Sequence, residues 1–262
     1  MNDFQIGIIG GTRGMGSWFA RFLKGEGYRV LLFGRNVGTA DVTEMARACR
    51  VVVVSVPIGV TCKVIEKVGP HMQENALLMD LTSLKRESVK AMLETSVSEV
   101  IGCHPLFGPQ IDSIAGQRVV LCPTRGKKWL SWLKDILERN GALVVEATPE
   151  KHDQMMAIVQ GLNHFNTIMM GLVLSRTGAS ISELMKFSTP VFKTKIEIIE
   201  KVFCQNPRLY AEIIAMNPDV RQLIEMYEKS VAELINLIDQ GNNADIAATI
   251  EKQAAFFKTA FE

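Results

Sequence analysis

The stretch Ile6-Gly7-Ile8-Ile9-Gly10-Gly11-Thr12-Arg13-Gly14-Met15-Gly16 limits the fold of this chain more than any other. A run of strand formers stops at paired glycines, and a helix-compatible sequence starts within three residues. That order is a buried strand, a tight turn and a helix entering over it, the first unit of a parallel α/β sheet. Glycines let the turn backbone come close to a bound group, and the helix start offers free N–H groups and positive dipole.

The same alternation continues downstream. Strands are predicted over 5–9, 29–33, 51–56, 76–80, 99–101, 118–122 and 142–146, with helices over 14–25, 60–68, 85–94 and 127–140. Apolar strands separated by helices predict an α/β domain with a doubly wound, mostly parallel sheet of Rossmann type. Near Pro149 the pattern changes to helical spacing: Met155, Ile158, Val159, Leu162 and Phe165 share one face, and Leu223, Met226, Tyr227, Val231, Leu234, Ile235 and Ile238 form a later stripe. The expected division is therefore a Rossmann domain over 1–150 and an all-helical domain over 151–262. Many of the 13 methionines fall in the helical part, where they suit a core or a subunit interface.

Placed at the first strand's end, residues Gly10, Gly11, Thr12, Arg13, Gly14, Met15 and Gly16 predict a dinucleotide site. With Gly11 read as the first glycine and Gly16 as the last, Arg13 stands where the middle glycine of the fingerprint belongs; an ordinary glycine-rich turn is the competing reading. The second strand ends Phe33-Gly34-Arg35-Asn36, with no carboxylate for a ribose hydroxyl. Arg13 and Arg35 would instead attract a 2′-phosphate, so NADP is expected over NAD, unless Arg35 is simply a solvated arginine. Ser55-Val56-Pro57, after the third strand, falls on the same ligand-binding edge and is assigned to the cofactor as well.

The segment Gly102-Cys103-His104-Pro105-Leu106-Phe107-Gly108-Pro109 supplies a candidate reacting group. Its glycines and prolines predict an irregular backbone holding one imidazole, His104, just past a strand. Asp80-Leu81-Thr82-Ser83-Leu84-Lys85 ends the preceding strand. Thr82 and Ser83 are good helix caps, and either hydroxyl could instead hydrogen-bond His104 and set its tautomer. Lys85 reads as a solvent lysine unless an anionic substrate lies above it. Gln160 and His164 share a helix face, as do Lys201 and Gln205; each pair is either a buried network or a ligand wall. His71 and His152 read as surface or capping residues.

Twenty-nine basic and 28 acidic side chains nearly cancel, which argues against nucleic acid or an anionic membrane as partner. Five scattered cysteines without a Cys-x-x-Cys pair predict neither a disulfide framework nor a metal site. Met1-Asn2-Asp3-Phe4 runs directly into a strand, so no signal peptide is expected. Uninterrupted apolar runs are far below spanning length, and a cytoplasmic location without membrane contact is expected.

Taken together these motifs resemble the prephenate dehydrogenases, especially the short archaeal-type enzymes and the dehydrogenase part of the bifunctional chorismate mutase–prephenate dehydrogenase. The resemblance spans the whole chain. It rests on 10–16, Val54-Ser55-Val56-Pro57-Ile58, 80–85, 104–109, Glu150-Lys151-His152-Asp153-Gln154, Gln160-Gly161-Leu162-Asn163-His164-Phe165 and Gln205-Asn206-Pro207-Arg208-Leu209-Tyr210-Ala211-Glu212-Ile213. It implies oxidative decarboxylation of prephenate to 4-hydroxyphenylpyruvate in tyrosine biosynthesis, with hydride passed to NADP or NAD. His104 then matches the catalytic base and Ser83 the serine bonded to it. Gln160, His164, Lys201, Lys85, Gln205 and Tyr210 fall on the substrate side. Where the family commonly has a carboxylate-binding arginine, this chain has Lys201, which keeps the charge but not the bidentate fork. The resemblance further implies a homodimer through the helical domain, and neither a chorismate mutase segment nor a regulatory ACT domain is expected. Three readings compete: an arogenate dehydrogenase, another small NADP oxidoreductase of the same layout, and a non-catalytic NADP-binding dimer.

Overall fold

The computed structural model describes residues 4–34 and 38–258. Seven strands form one sheet: β1 (Gln5–Ile9), β2 (Arg29–Phe33), β3 (Val51–Val54), β4 (Leu77–Asp80), β5 (Glu99–Pro105), β6 (Arg118–Arg125) and β7 (Leu143–Glu146), in the order β2-β1-β3-β4-β5-β6-β7. The first five run parallel; β6 is antiparallel to β5, and β7 runs parallel to β6. Strand order reverses between β1 and β3, so a crevice opens at their carboxyl ends. Val51 to Val54 and Leu77 to Met79 are completely buried because helices cover both faces. Each such aliphatic side chain contributes about 1.5–3 kcal/mol by leaving water.

Helices α1 (Gly14–Gly25), α2 (Thr39–Ala48), α3 (Ile58–Val68), α4 (Arg86–Thr95) and α5 (Lys128–Glu138) flank the sheet. The sequence reading omits α2, whose apolar face is short. It also ends the fifth strand at residue 101. In the structure β5 continues through His104 and Pro105, which pair with Val120 and Val119 of β6. The ladder to an antiparallel neighbour overrides the local Gly/Pro signal, so His104 sits on a rigid strand end rather than in an irregular loop. The segment after β5 then docks on α1: Phe107 meets Trp18 edge-on with centroids 4.9 Å apart, and Trp18 Nε1 donates to the Ile111 carbonyl at 2.7 Å.

Beyond β7 the chain is helical. The helix α6 (Pro149–Met156) passes through a π-helical turn (Ala157–Leu162) into α7 (Asn163–Arg176). Next come α8 (Ile181–Lys186), α9 (Pro190–Glu200), a second π-helical turn (Lys201–Gln205), α10 (Pro207–Met216), α11 (Val220–Asp239) and α12 (Asn243–Lys258). The compact units divide at Met1–Asn217 and Pro218–Glu262. The first unit therefore extends well past residue 150, because α6 and α10 pack against the sheet layer. The second unit is the α11–α12 hairpin. It exposes Met226, Leu234, Ile235, Ile238, Phe256 and Phe257.

The expectation that apolar stretches fall far short of a membrane span is corrected by the continuous helix Pro149–Arg176. Among the described residues it alone is long and apolar enough, by length and composition, to cross one. Uninterrupted runs underestimate it, since its apolar residues recur around polar ones. Ile158, Val159, Met169 and Val173 lie exposed along it.

Candidate active site

The carboxyl edge of the sheet gathers the predicted motifs. Gly10 has φ +82°, and a Cβ there would lie 2.0 Å from the Ser55 carbonyl oxygen. A Cβ on Gly16 would meet the Gly10 carbonyl oxygen at 2.5 Å. Only glycine permits this closeness, so the turn after β1 is folded against the end of β3, where Ser55 N–H donates to the Ile9 carbonyl at 2.8 Å. Gly14 opens α1 at φ +56°, and no side chain caps that helix. Thr12 and Arg13 are exposed beside it. A glycine cradle and an uncapped helix start fit the phosphates of a dinucleotide. Arg35 lies outside the described residues.

His104 projects from β5 toward the α4 side of the sheet and is buried. Its Nδ1 lies 2.9 Å from Nε2 of His152, and His152 Nδ1 lies 2.7 Å from Asp153 Oδ1. Asp153, on α6, accepts from the backbone N–H groups of Lys85 (2.8 Å, to Oδ1) and Arg86 (3.0 Å, to Oδ2). It is therefore the cap of α4, supplied from 67 residues away. Burial, with His152 and Lys85 nearby, drives the His104 pKa well below its ordinary value. Burial also lowers His152, against an opposing hydrogen bond from Asp153. Burial would raise Asp153, but bonds from His152, Arg86 and Lys85 outweigh it and hold the carboxyl below its usual range. The result is a neutral imidazole at the sheet edge, supported by a neutral imidazole and a carboxylate.

Two assignments change here. No hydrogen bond joins Ser83 to His104 among the described residues; His152 holds the Nδ1 of His104 instead, so the histidine read as a surface or capping residue is inside the site. Lys85 is fully buried, not placed for a substrate or solvent. Its ammonium bonds the Asp80 carboxylate and donates to the Cys103 carbonyl at 3.0 Å. It reaches them by crossing Gly102, where a Cβ would lie 2.9 Å from Lys85 Cδ. Thr82 Oγ1 likewise bonds Asp80 Oδ2 at 2.6 Å rather than capping α4.

In the helical part, the His164 ring meets Tyr210 edge-on at 4.7 Å. Burial lowers the His164 pKa and raises that of Tyr210. Gln160 lies in the first π-helical turn, and its Oε1 is buried with no hydrogen-bond partner among the described residues. Lys201 and Gln205 bound the second π-helical turn and are exposed. That turn packs on α7, where a Cβ at Gly171 would strike the Phe203 ring at 2.5 Å. The helix α10 joins the nucleotide side: Arg208 Nε bonds Glu212 Oε1 at 2.7 Å, and Glu212 Oε2 accepts from Gly59 N–H at the start of α3 at 3.4 Å.

The family model described as prephenate dehydrogenase, nucleotide-binding domain, matches residues 33–146, and that of the prephenate dehydrogenase dimerization domain matches 148–252. The chain is 38% identical to a probable arogenate/prephenate dehydrogenase of Methanocaldococcus jannaschii, covering 97% of this chain and 61% of that protein. It is 34% identical to the T-protein of Haemophilus influenzae, covering 97% and 67%. This chain thus spans about two thirds or less of those relatives. Among solved structures, prephenate dehydrogenase from A. aeolicus, in complex with hydroxyphenyl propionate and NAD+, superposes with a TM-score of 0.78 at 22% identity over 100% of this chain and 99% of that one. Synechocystis arogenate dehydrogenase gives 0.72 at 19% identity over 97% and 99%; both likenesses concern the fold. On the sequence matches, the chain belongs to the prephenate dehydrogenase family.

Proposed function

We propose that this chain is an NAD(P)-dependent dehydrogenase that converts prephenate to 4-hydroxyphenylpyruvate by oxidative decarboxylation, the tyrosine-forming branch of aromatic biosynthesis. One observation carries the reading: a buried imidazole, held neutral, stands on the same sheet edge as a glycine turn fitted to a dinucleotide. We read 1–150 as the nucleotide-binding part and 151–262 as the substrate and dimerisation part, and the two family models meet between 146 and 148.

Residues 10–16 and Ser55, Val56 and Pro57 hold the cofactor, with phosphates at the start of α1 and exposed Arg13 favouring NADP. Bound NAD(P)+ supplies the hydride acceptor. His104 Nε2 takes the proton of the ring hydroxyl as its carbon becomes a carbonyl, a task suited to a neutral imidazole near pH 7. The ring carboxylate then leaves as carbon dioxide, its bonding pair enters the ring, and the phenolic oxygen recovers the proton from His104. Lys201 attracts a substrate carboxylate, Gln160 offers an acceptor left unused by the protein, and His164 with Tyr210 forms an aromatic and polar wall. Gln205 lies at the far end of the Lys201 turn. Ser83, half-buried beside the site, remains available to the substrate rather than to His104.

A second copy of the chain covers the exposed apolar residues of α7 and of the α11–α12 hairpin, in the part matched by the dimerization-domain model. Light scattering then gives twice the 29.1 kDa chain mass. Steady-state assays with prephenate or arogenate, each with NADP or NAD, test the function. Reduced nicotinamide forms fastest with prephenate and NADP. Preference for arogenate would shift the assignment to its amino analogue, a name shared by the methanogen relative. No reduction with either substrate would end the enzyme reading.

A further inference from the structure

We propose that His152 and Asp153 are positioning residues that lock His104 in the Nδ1–H tautomer and so present a bare Nε2 to the substrate. The inference rests on the function proposed above for its consequence in turnover, but its structural half stands on the hydrogen bonds and on the burial and charges around His152. Both Asp153 oxygens already accept backbone N–H bonds, from Lys85 and Arg86. An ionised carboxylate only accepts, so the His152 Nδ1 facing Oδ1 at 2.7 Å must carry a hydrogen. A neutral His152 then has a lone pair on Nε2. That atom faces His104 Nδ1 at 2.9 Å, so Nδ1 of His104 is the donor and its Nε2 is bare.

The other assignment, a charged His152 donating from both nitrogens, would reverse the His104 tautomer. The surroundings oppose it. The charged groups that act on the pair are Asp80 on β4, Lys85 at the start of α4 and Asp153 on α6. The Asp80 carboxylate is already bonded to the Lys85 ammonium. Burial and the Lys85 charge outweigh the pull of Asp153 and Asp80 toward a charged ring, so a second cation is disfavoured here. The α4 N-terminus, with its two N–H donors and positive dipole, stabilises the negative charge on Asp153 that starts the chain of assignments. A helix cap and a catalytic tautomer are thus set by one carboxylate.

The test combines a tautomer measurement with turnover. The chain has four histidines, so selective imidazole 15N labelling gives four ring systems, and His104→Asn identifies the one of interest. Correlation spectra at neutral pH should show His104 protonated on Nδ1 only. His152→Gln keeps an oxygen to accept from His104 and an amide to donate to Asp153, so the tautomer persists and kcat stays within about tenfold. His152→Leu keeps bulk but removes the acceptor; kcat should fall about 10²-fold or more with KM nearly unchanged, since general-base catalysis is worth that much and acts in the transition state. A His104 protonated on Nε2 in the unmodified protein would overturn the inference. So would equal losses in the Gln and Leu variants, or a Leu variant with full turnover. Should the unmodified protein turn over no cyclohexadienol, the proposed function fails, and the spectra still decide the tautomer.

Discussion

Asp153→Ala should destabilise the first compact unit by about 2–4 kcal/mol. The carboxylate caps α4 through two backbone bonds of 2.8 and 3.0 Å, and losing such a cap costs about 1 kcal/mol. It also partners the buried His152 Nδ1 at 2.7 Å, and a buried donor left without a partner costs about 1–3 kcal/mol. For a domain of this size each kcal/mol lowers Tm by roughly 2–4 °C, so a fall of about 9 °C is expected at neutral pH. Differential scanning calorimetry measures it, with exposed Asp112→Ala as the control of near-zero effect. The difference also has a predicted pH dependence. The folded pKa of Asp153 is depressed below 3.8, so its contribution is complete above that value and is lost as pH falls through the folded one. The gap between variant and parent should therefore close in strong acid. A Tm within 2 °C of the parent at pH 7 would refute the capping argument, taking 2 °C as about 1 kcal/mol at most.

Two further outcomes follow from the same geometry. The folded pKa values of His104 and His152 lie below the ordinary 6.5, so below that pH the unfolded chain binds protons that the folded one refuses. Their contribution is complete above 6.5 and falls by up to about 1.4 kcal/mol per pH unit for each ring below it; urea midpoints between pH 7.5 and 5 should drop, and His104→Asn should flatten the slope. Gly10→Ala forces a side chain at φ +82° to within 2.0 Å of a backbone oxygen. Calorimetric NADP affinity should weaken about tenfold or more, from strain of about 1–3 kcal/mol, whereas Gly25→Ala, in open space, leaves it unchanged.

The sheet was legible because buried strands such as Val51 to Val54 carry their own signature, and the helix α1 because its turn needs glycine. The edge gathering the site followed from strand order, as Ser55 and His104 show. What lay beyond reach depended on contacts distant in sequence. His104 belongs to a strand only because Val120 of β6 pairs with it, and no local pattern announces that. His152 and Asp153 look like two polar residues in an early helix turn; their partners are 48 and 67 residues away. Lys85 resembles any helix-start lysine until Gly102 clears a path to Asp80. In each case the residue was visible in its segment while the contact it makes was not.

The most direct test of the account is turnover of His104→Asn beside its nucleotide affinity. The account predicts a fall in kcat of at least about 10²-fold with prephenate, the scale of a lost general base, while the NADP dissociation constant stays within about threefold. Near-parental turnover in that variant would contradict the claim that the buried imidazole is the base.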